Sequence, residues 1–372
     1  MKNSIYALII TTLFSCSRSS SPVNPNASKE ARALLSFLQS ISGKYTLSGE
    51  HNFIQSGSRY NDTVFAITGK YPVVWGSDFS FCALGDNAKE FHHCGPMNLS
   101  VPFDPFEFNT ISVDTLRSRM IAEAIAQYQK GHIITLMWHH CFPADGDSCN
   151  GTSVWAMENR PDAAKWDSLT TEGTALNADW KRQADGVAKY LKVLQDAGVP
   201  VLWRPYHEMN GVWFWWCNQK GDNGFKKLWI QMYNYFTNHH GLNNLLWVWD
   251  ANAPRDKKGD EAYPYELFYP GNDYVDVLAA DIYGRDFRQS HHDDLIELGQ
   301  GKPISMGEVG DMPNDSILQA QPNWCWFMVW GYFINMRRNT PEYVKALYAS
   351  SRVITLDEVM RDSEGNWAIT TQ

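Results

Sequence analysis

Two short runs of this 372-residue chain pass through strand-forming residues and end in a carboxylate: Val201-Leu202-Trp203-Arg204-Pro205-Tyr206-His207-Glu208 and Ile304-Ser305-Met306-Gly307-Glu308. Side chains alternate sides along a strand, so Glu208 should share a side with Tyr206 and Arg204, and Glu308 with Met306 and Ile304. If both sides face one barrel axis, two carboxyl groups meet across its mouth. Glycosidic bond cleavage needs such a pair, one carboxylate to attack or to activate water and one carboxylic acid to protonate the leaving oxygen. A single glutamate at either place would read as an ion-pair partner, for instance of Arg204. Two of them at strand ends point to catalysis.

The elements that must position these groups follow from hydrophobic periodicity. Apolar, β-rich runs occur at Tyr45 to His51, Pro72 to Phe79, His132 to His140, Pro200 to Glu208, Asn244 to Asn252, Val275 to Tyr283, Pro303 to Glu308 and Trp326 to Phe333. Between them lie amphipathic segments such as Val113 to Lys130, Asp179 to Ala197, Phe225 to His239 and Asp293 to Leu298, several closed by a glycine (Gly131, Gly198, Gly241). Eight strand–helix repeats predict a single-domain (β/α)8 TIM barrel over 29–372, whose catalytic groups belong at the C-terminal ends of the strands. A doubly wound open sheet would want a Gly-rich nucleotide loop after an early strand, and there is none. The two long connections, Cys82 to Val113 and Cys141 to Asp179, are expected to be functional.

Composition narrows the classes further. With 41 acidic against 32 basic side chains the formal net charge is −9, the wrong sign for a nucleic-acid binder. A hydrophobic content of 44% fills a large core and argues against disorder. The 16 Trp, 17 Tyr and 18 Phe exceed what a core needs and suggest exposed stacking platforms. The pairs His92-His93, His139-His140, His239-His240 and His291-His292 lack metal-ligand spacing, because adjacent residues do not face a common ligand. No metal and no cofactor is expected, and the chain should be a monomer.

Met1, Lys2 and the apolar run from Ile5 to Phe14 read as an export signal too short to span a bilayer. Leu13-Phe14-Ser15-Cys16 resembles a bacterial lipobox, which makes residues 1–16 a signal peptide, Cys16 the lipidated residue and that lipid the one membrane contact. Residues 17–28, rich in Ser, Pro and Asn, read as a flexible tether. Ser17-Arg18-Ser19 carries no acidic cluster, which favours the periplasmic side of the outer membrane over the cell surface. Of the six other cysteines, Cys82 with Cys94 and Cys141 with Cys149 are the closest pairs, while Cys217 and Cys325 either pair or stay free.

The run Trp203 to Gly211, followed by Trp213-Phe214-Trp215-Trp216, resembles the acid/base signature of glycoside hydrolase family 26, the β-mannanases, and Met306-Gly307-Glu308 resembles its nucleophile segment. The resemblance runs from about Leu34 to the C-terminus. It implies a retaining hydrolase of β-1,4-mannosidic bonds, with Glu208 as acid/base, Glu308 as nucleophile and their carboxyls about 5 to 5.5 Å apart. By the same resemblance His139, His207, Trp213, Asp281 and Trp330 line the substrate site, and Tyr283 hydrogen-bonds the nucleophile. His140, of opposite parity to His139, is expected to be structural. Gly331 departs from relatives that carry a basic residue there. Because the family also holds β-1,3-xylanases and mixed-linkage β-glucanases, these are the nearest alternatives; a lipid-anchored, non-catalytic glycan-binding protein is the alternative of another class. Cutting inside chains or releasing mannobiose from an end depends on whether the long loops close one side of the cleft.

Overall fold

The structure is a computed structural model, described for residues 21–83, 91–93, 113–145, 154–155, 160–336 and 338–370. Eight parallel strands form its centre: β1 Gly49–His51, β2 Val74–Asp78, β3 Ile133–Trp138, β4 Val201–Pro205, β5 Leu245–Asn252, β6 Val277–Ile282, β7 Ile304–Val309 and β8 Trp324–Val329. Each pairs with the next, and β8 pairs with both β7 and β1, which closes the barrel. Every residue of these eight strands is buried, as expected when helices cover the outside and side chains fill the inside.

The predicted helices are present with shifted ends. Ala175–Asp196 begins four residues before the expected Asp179 because the Thr174 hydroxyl caps it, accepting from the Asn177 N–H. The segment from Phe225 divides into an α-helix to Asn234 and a π-helical turn, Tyr235–His239. Two strands also differ. The first run breaks at Ser48, whose hydroxyl donates to the Ile354 carbonyl at 2.8 Å, so that Thr46–Leu47 pairs with Val353–Ile354 while β1 joins the barrel. The eighth ends at Val329, and the aromatic run that looked like its continuation folds into a short 3-10 helix, Gly331–Asn335.

The segment up to Ser28 is no tether over its final part. Val23 N–H donates to Asp276 at 2.7 Å, Asn24 reaches Leu242 and Asn243, and Ser28 N–H donates to Asn243. These acceptors precede β5 and β6, so the segment docks on the end of the barrel where strands begin. Its Pro/Asn-rich composition mimics a linker, yet the Asn amides satisfy backbone groups there.

Cys217 and Cys325 are free buried thiols that donate to the carbonyls of Glu208 and Leu38. Cys141 is disulfide-bonded; Cys94 and Cys149, and the lipidation candidate Cys16, lie outside the described residues. Among the described residues no helix is long and apolar enough to cross a membrane.

Candidate active site

Pro205 has no N–H to extend the β4 ladder, and the chain leaves the strand with Tyr206 at φ 52° and Glu208 at φ 55°, left-handed values that side-chain-bearing residues seldom adopt. This local winding overturns the expected alternation. Tyr206 points away from Glu208: its hydroxyl accepts from Trp180 Nε1 at 2.7 Å and lies 2.8 Å from His140 Nδ1, in the layer between barrel and helices. His140 is thereby a structural group. Glu208 is held at the mouth by its own N–H, which donates to the Asp250 carbonyl at 2.7 Å. Its Oε1 accepts from Asn252 Nδ2 and its Oε2 from Trp213 Nε1.

Glu308 also reaches the mouth through an irregularity. Met306 lies opposite Ala280 and Glu308 opposite Asp281, so the register slips by one residue at Gly307. Such a bulge re-aims the side chain that follows it. Glycine is required at that point, since a Cβ on Gly307 would collide with the Asp250 carboxylate. Glu308 Oε2 accepts from the Tyr283 hydroxyl at 2.8 Å, and Oε1 lies 3.4 Å from Arg204 Nη2.

Arg204, fully buried, pairs with Asp250 and lies 3.9 Å from Asp281. One cation thus faces Asp250, Asp281 and Glu308, with Glu208 close by, so the cluster must hold protons at neutral pH. Burial drives all of them up: Glu208 despite Asn252 and Trp213, and Glu308 despite Arg204 and Tyr283, each raised further by Asp250. Asp281 is pushed well up by burial and by Asp250, Glu308 and Glu208. The two glutamates titrate as one pair. The direct guanidinium contact and the phenol donor draw the charge to Glu308, leaving the proton on Glu208, whose direct partners are neutral.

The other expected residues gather at the same place. His139 donates through Nδ1 to Asp78 at 2.8 Å, and its ring meets His207 edge-on at 4.4 Å. Ligand atoms of His207, Asp281 and Glu308 all lie within 4.8 Å of one another. A metal ion there would have to share the space with Arg204, which already supplies the positive charge. Trp330 stacks on His51 at 4.0 Å, and Trp213 is half-buried beside Glu208. Asp281 is in the cluster but has no exposed surface, so its influence on a sugar passes through Arg204 and Glu308.

Sequence reasoning missed Asp78, Asp250, Asn252, Arg255 and His51. Asp78 and Asn252 end β2 and β5, and the strand-end rule that selected Glu208 selects them too. Arg255, in a loop, carried no such signal. A separate cavity of about 530 Å³, lined by Ser42, Lys302, Pro303 and Asn323, opens where β7 begins, at the far end of the barrel from this chemistry.

A closed parallel barrel with two buried glutamates at the C-terminal ends of its fourth and seventh strands has the architecture of a glycoside hydrolase. The description of glycosyl hydrolase family 26 matches residues 23–85 and 104–358. The solved structure of GH26A from Muricauda sp. is 43% identical, with a TM-score of 0.79, covering 91% of this chain and 99% of that one. A β-mannanase from a symbiotic protist of the termite Reticulitermes speratus, solved with a gluco-manno-oligosaccharide, is 29% identical with a TM-score of 0.70, covering 91% and 96%. The mannan endo-1,4-beta-mannosidase of Thermothelomyces thermophilus is 34% identical over 346 residues, 90% of this chain. The match spans 62% of that relative's length. The chain belongs to glycosyl hydrolase family 26.

Proposed function

We propose that this protein is a retaining β-mannanase that hydrolyses β-1,4-mannosidic bonds in mannan, galactomannan or glucomannan. The observation that carries the reading is the division of surroundings between the two glutamates. Glu308, against Arg204 and Tyr283, is the group equipped to be an anionic nucleophile; Glu208, among neutral donors, is equipped to hold a proton. Glu308 attacks the anomeric carbon as Glu208 protonates the departing oxygen. A water then enters, Glu208 takes its proton, and the bond to Glu308 breaks with a second inversion. His139, His207, Trp213 and Trp330 surround the sugar.

The relatives support the substrate, since the fungal and protist proteins are a mannan endo-1,4-beta-mannosidase and a β-mannanase. Galactomannan, lichenan and xylan offered side by side test it: hydrolysis confined to galactomannan is expected, and faster cleavage of either other polymer would overturn it. Proton NMR of the first product should show the β anomer; an α anomer at the earliest time excludes double displacement.

We infer from the sequence of the first 16 residues that the enzyme is exported and lipidated at Cys16, on the periplasmic side of the outer membrane. Labelled palmitate should be incorporated by the wild type and not by Cys16→Ala, and protease added to intact cells should leave the enzyme uncut.

A further inference from the structure

We propose that Arg255, in the loop after β5, is a positioning residue that sets the orientation of both hydrogen-bond donors to Glu208 and so keeps the acid/base proton available for the leaving group. The inference rests on the acid/base reading of Glu208 above. Asn252 shows why such a residue is needed. Its backbone is fixed on both sides by Asn210, which accepts from its N–H at 2.8 Å and donates to its carbonyl at 2.7 Å. The side-chain amide can still sit either way round, since its two ends have nearly the same shape and opposite hydrogen-bonding character. Arg255 decides between them. A guanidinium only donates, and its Nη1 takes Asn252 Oδ1, which leaves Nδ2 to face Glu208. With the amide reversed, an oxygen would face Glu208 and accept the proton intended for the glycosidic oxygen.

The same guanidinium lies over the Trp213 ring, 5.1 Å from its centre. Trp213 is the second donor to Glu208, through its indole N–H. The two donors come from different connections, the one after β4 and the end of β5, and both meet at Arg255. Arg255 is itself fixed. Its Nη2 donates to Asp260, which also pairs with Lys257 at 3.0 Å, and its backbone exchanges hydrogen bonds with Ala262 at 2.9 and 3.0 Å. The planar fork engages Asn252 and Asp260 while its face covers an indole, three contacts that a lysine ammonium cannot reproduce together.

Charge acts in the same direction as geometry. Facing Glu208 are Asp250 on β5, Asp281 and Tyr283 at the end of β6, Glu308 on β7, Cys217 in the loop beyond β4, and Arg255. Arg255 is the cation that lowers the Glu208 carboxyl against these. Without it the ionised form is less stable, so the carboxyl titrates higher.

The test uses the full-length protein, with kcat/KM measured against pH on galactomannan and on a dinitrophenyl β-mannobioside, whose leaving group departs without a proton. For Arg255→Gln we expect a loss of about 30-fold on galactomannan, less than threefold on the dinitrophenyl substrate, and an alkaline limb displaced upward by about one pH unit. Arg255→Lys should keep the limb within about half a unit of wild type and lose several-fold on galactomannan. Equal losses on the two substrates, or a Gln variant with wild-type rate and limb, would overturn the proposal. Circular dichroism identifies a variant that has failed to fold, in which case Asp260→Asn, which releases the anchor of Arg255, must reproduce the selective loss on galactomannan or the proposal falls. Failure of the underlying reading is distinguishable, because Glu208→Ala would then lose the dinitrophenyl substrate as heavily as galactomannan.

Discussion

Glu208 and Glu308 are the same residue type, both buried and close to the same carboxylates, yet their surroundings differ in kind. Glu308 sits within a strand, reached by a charged guanidinium from β4 across the barrel and by a phenol. Glu208 sits past the end of a strand, in a left-handed turn, and both of its direct donors are uncharged. Burial raises both carboxyls, so burial alone assigns no roles. A formal charge at hydrogen-bond range on one side, and only dipoles on the other, is what separates an attacking carboxylate from a proton donor.

The strongest way to break this contrast is to remove each glutamate. Glu308→Ala should lose at least about 10⁴-fold in kcat on every substrate, because nothing else can form the covalent bond. Glu208→Ala should lose about 10³-fold on galactomannan but retain the first step with a dinitrophenyl mannobioside, releasing a burst of phenol as the glycosyl-enzyme accumulates. A burst from Glu308→Ala in place of Glu208→Ala would exchange their roles. Tyr283→Phe comes next. The hydroxyl acts on the nucleophile, so kcat should fall on the order of 10²-fold with KM little changed, and the acid limb of the pH profile should move up because a donor that favours ionised Glu308 is gone. A rise confined to KM would make Tyr283 a sugar contact.

The pH profile sharpens the comparison without mutation. The acid must be protonated, so kcat/KM should decline as pH rises through the second titration of the pair, which burial raises well above the usual carboxylate range. Activity undiminished at pH 9 would contradict the assignment. The smallest effect concerns a third buried glutamate, Glu50 on β1, whose titration burial pushes well up against the lowering effect of the His51 backbone N–H. The native state keeps its proton over a pH range where the unfolded chain has released it, so stability falls as pH rises from about 4.3 toward the native value. Glu50→Gln does not titrate. Its melting temperature should exceed the wild type's by on the order of 1–2 °C at pH 8, and the difference should shrink toward pH 5; a gap that widens at low pH would contradict a neutral Glu50.

The barrel was legible in the sequence because a strand covered on both faces is a long apolar run, and eight such runs are hard to mistake. The positions of Glu208 and Glu308 were legible because the strand-end rule needs no side-chain detail. Direction was less so. Tyr206 was assigned to the side of Glu208 by a two-residue period that holds only for extended backbone, and two left-handed residues within three positions cancel it. Glu308 faces the mouth only because the ladder slips at Gly307, a feature invisible to periodicity. Arg204 could be suspected as an ion-pair partner of a glutamate, but not of Asp250, since the pairing depends on neighbouring strands standing in a particular register. The docking of residues 23–28 was hidden for another reason: proline and asparagine suit a linker and a cap equally well.

That docked segment has a consequence for the enzyme at work. Hydrogen bonds from Val23 and Asn24 hold the chain against the end of the barrel opposite the glutamates. If Cys16 carries lipid, as proposed above, seven residues separate it from the docked Val23, a reach of at most about 25 Å. So short a leash would leave little freedom to tumble. On such an anchor the catalytic mouth, at the opposite end of the barrel, would face away from the bilayer and toward polysaccharide arriving from the surrounding fluid.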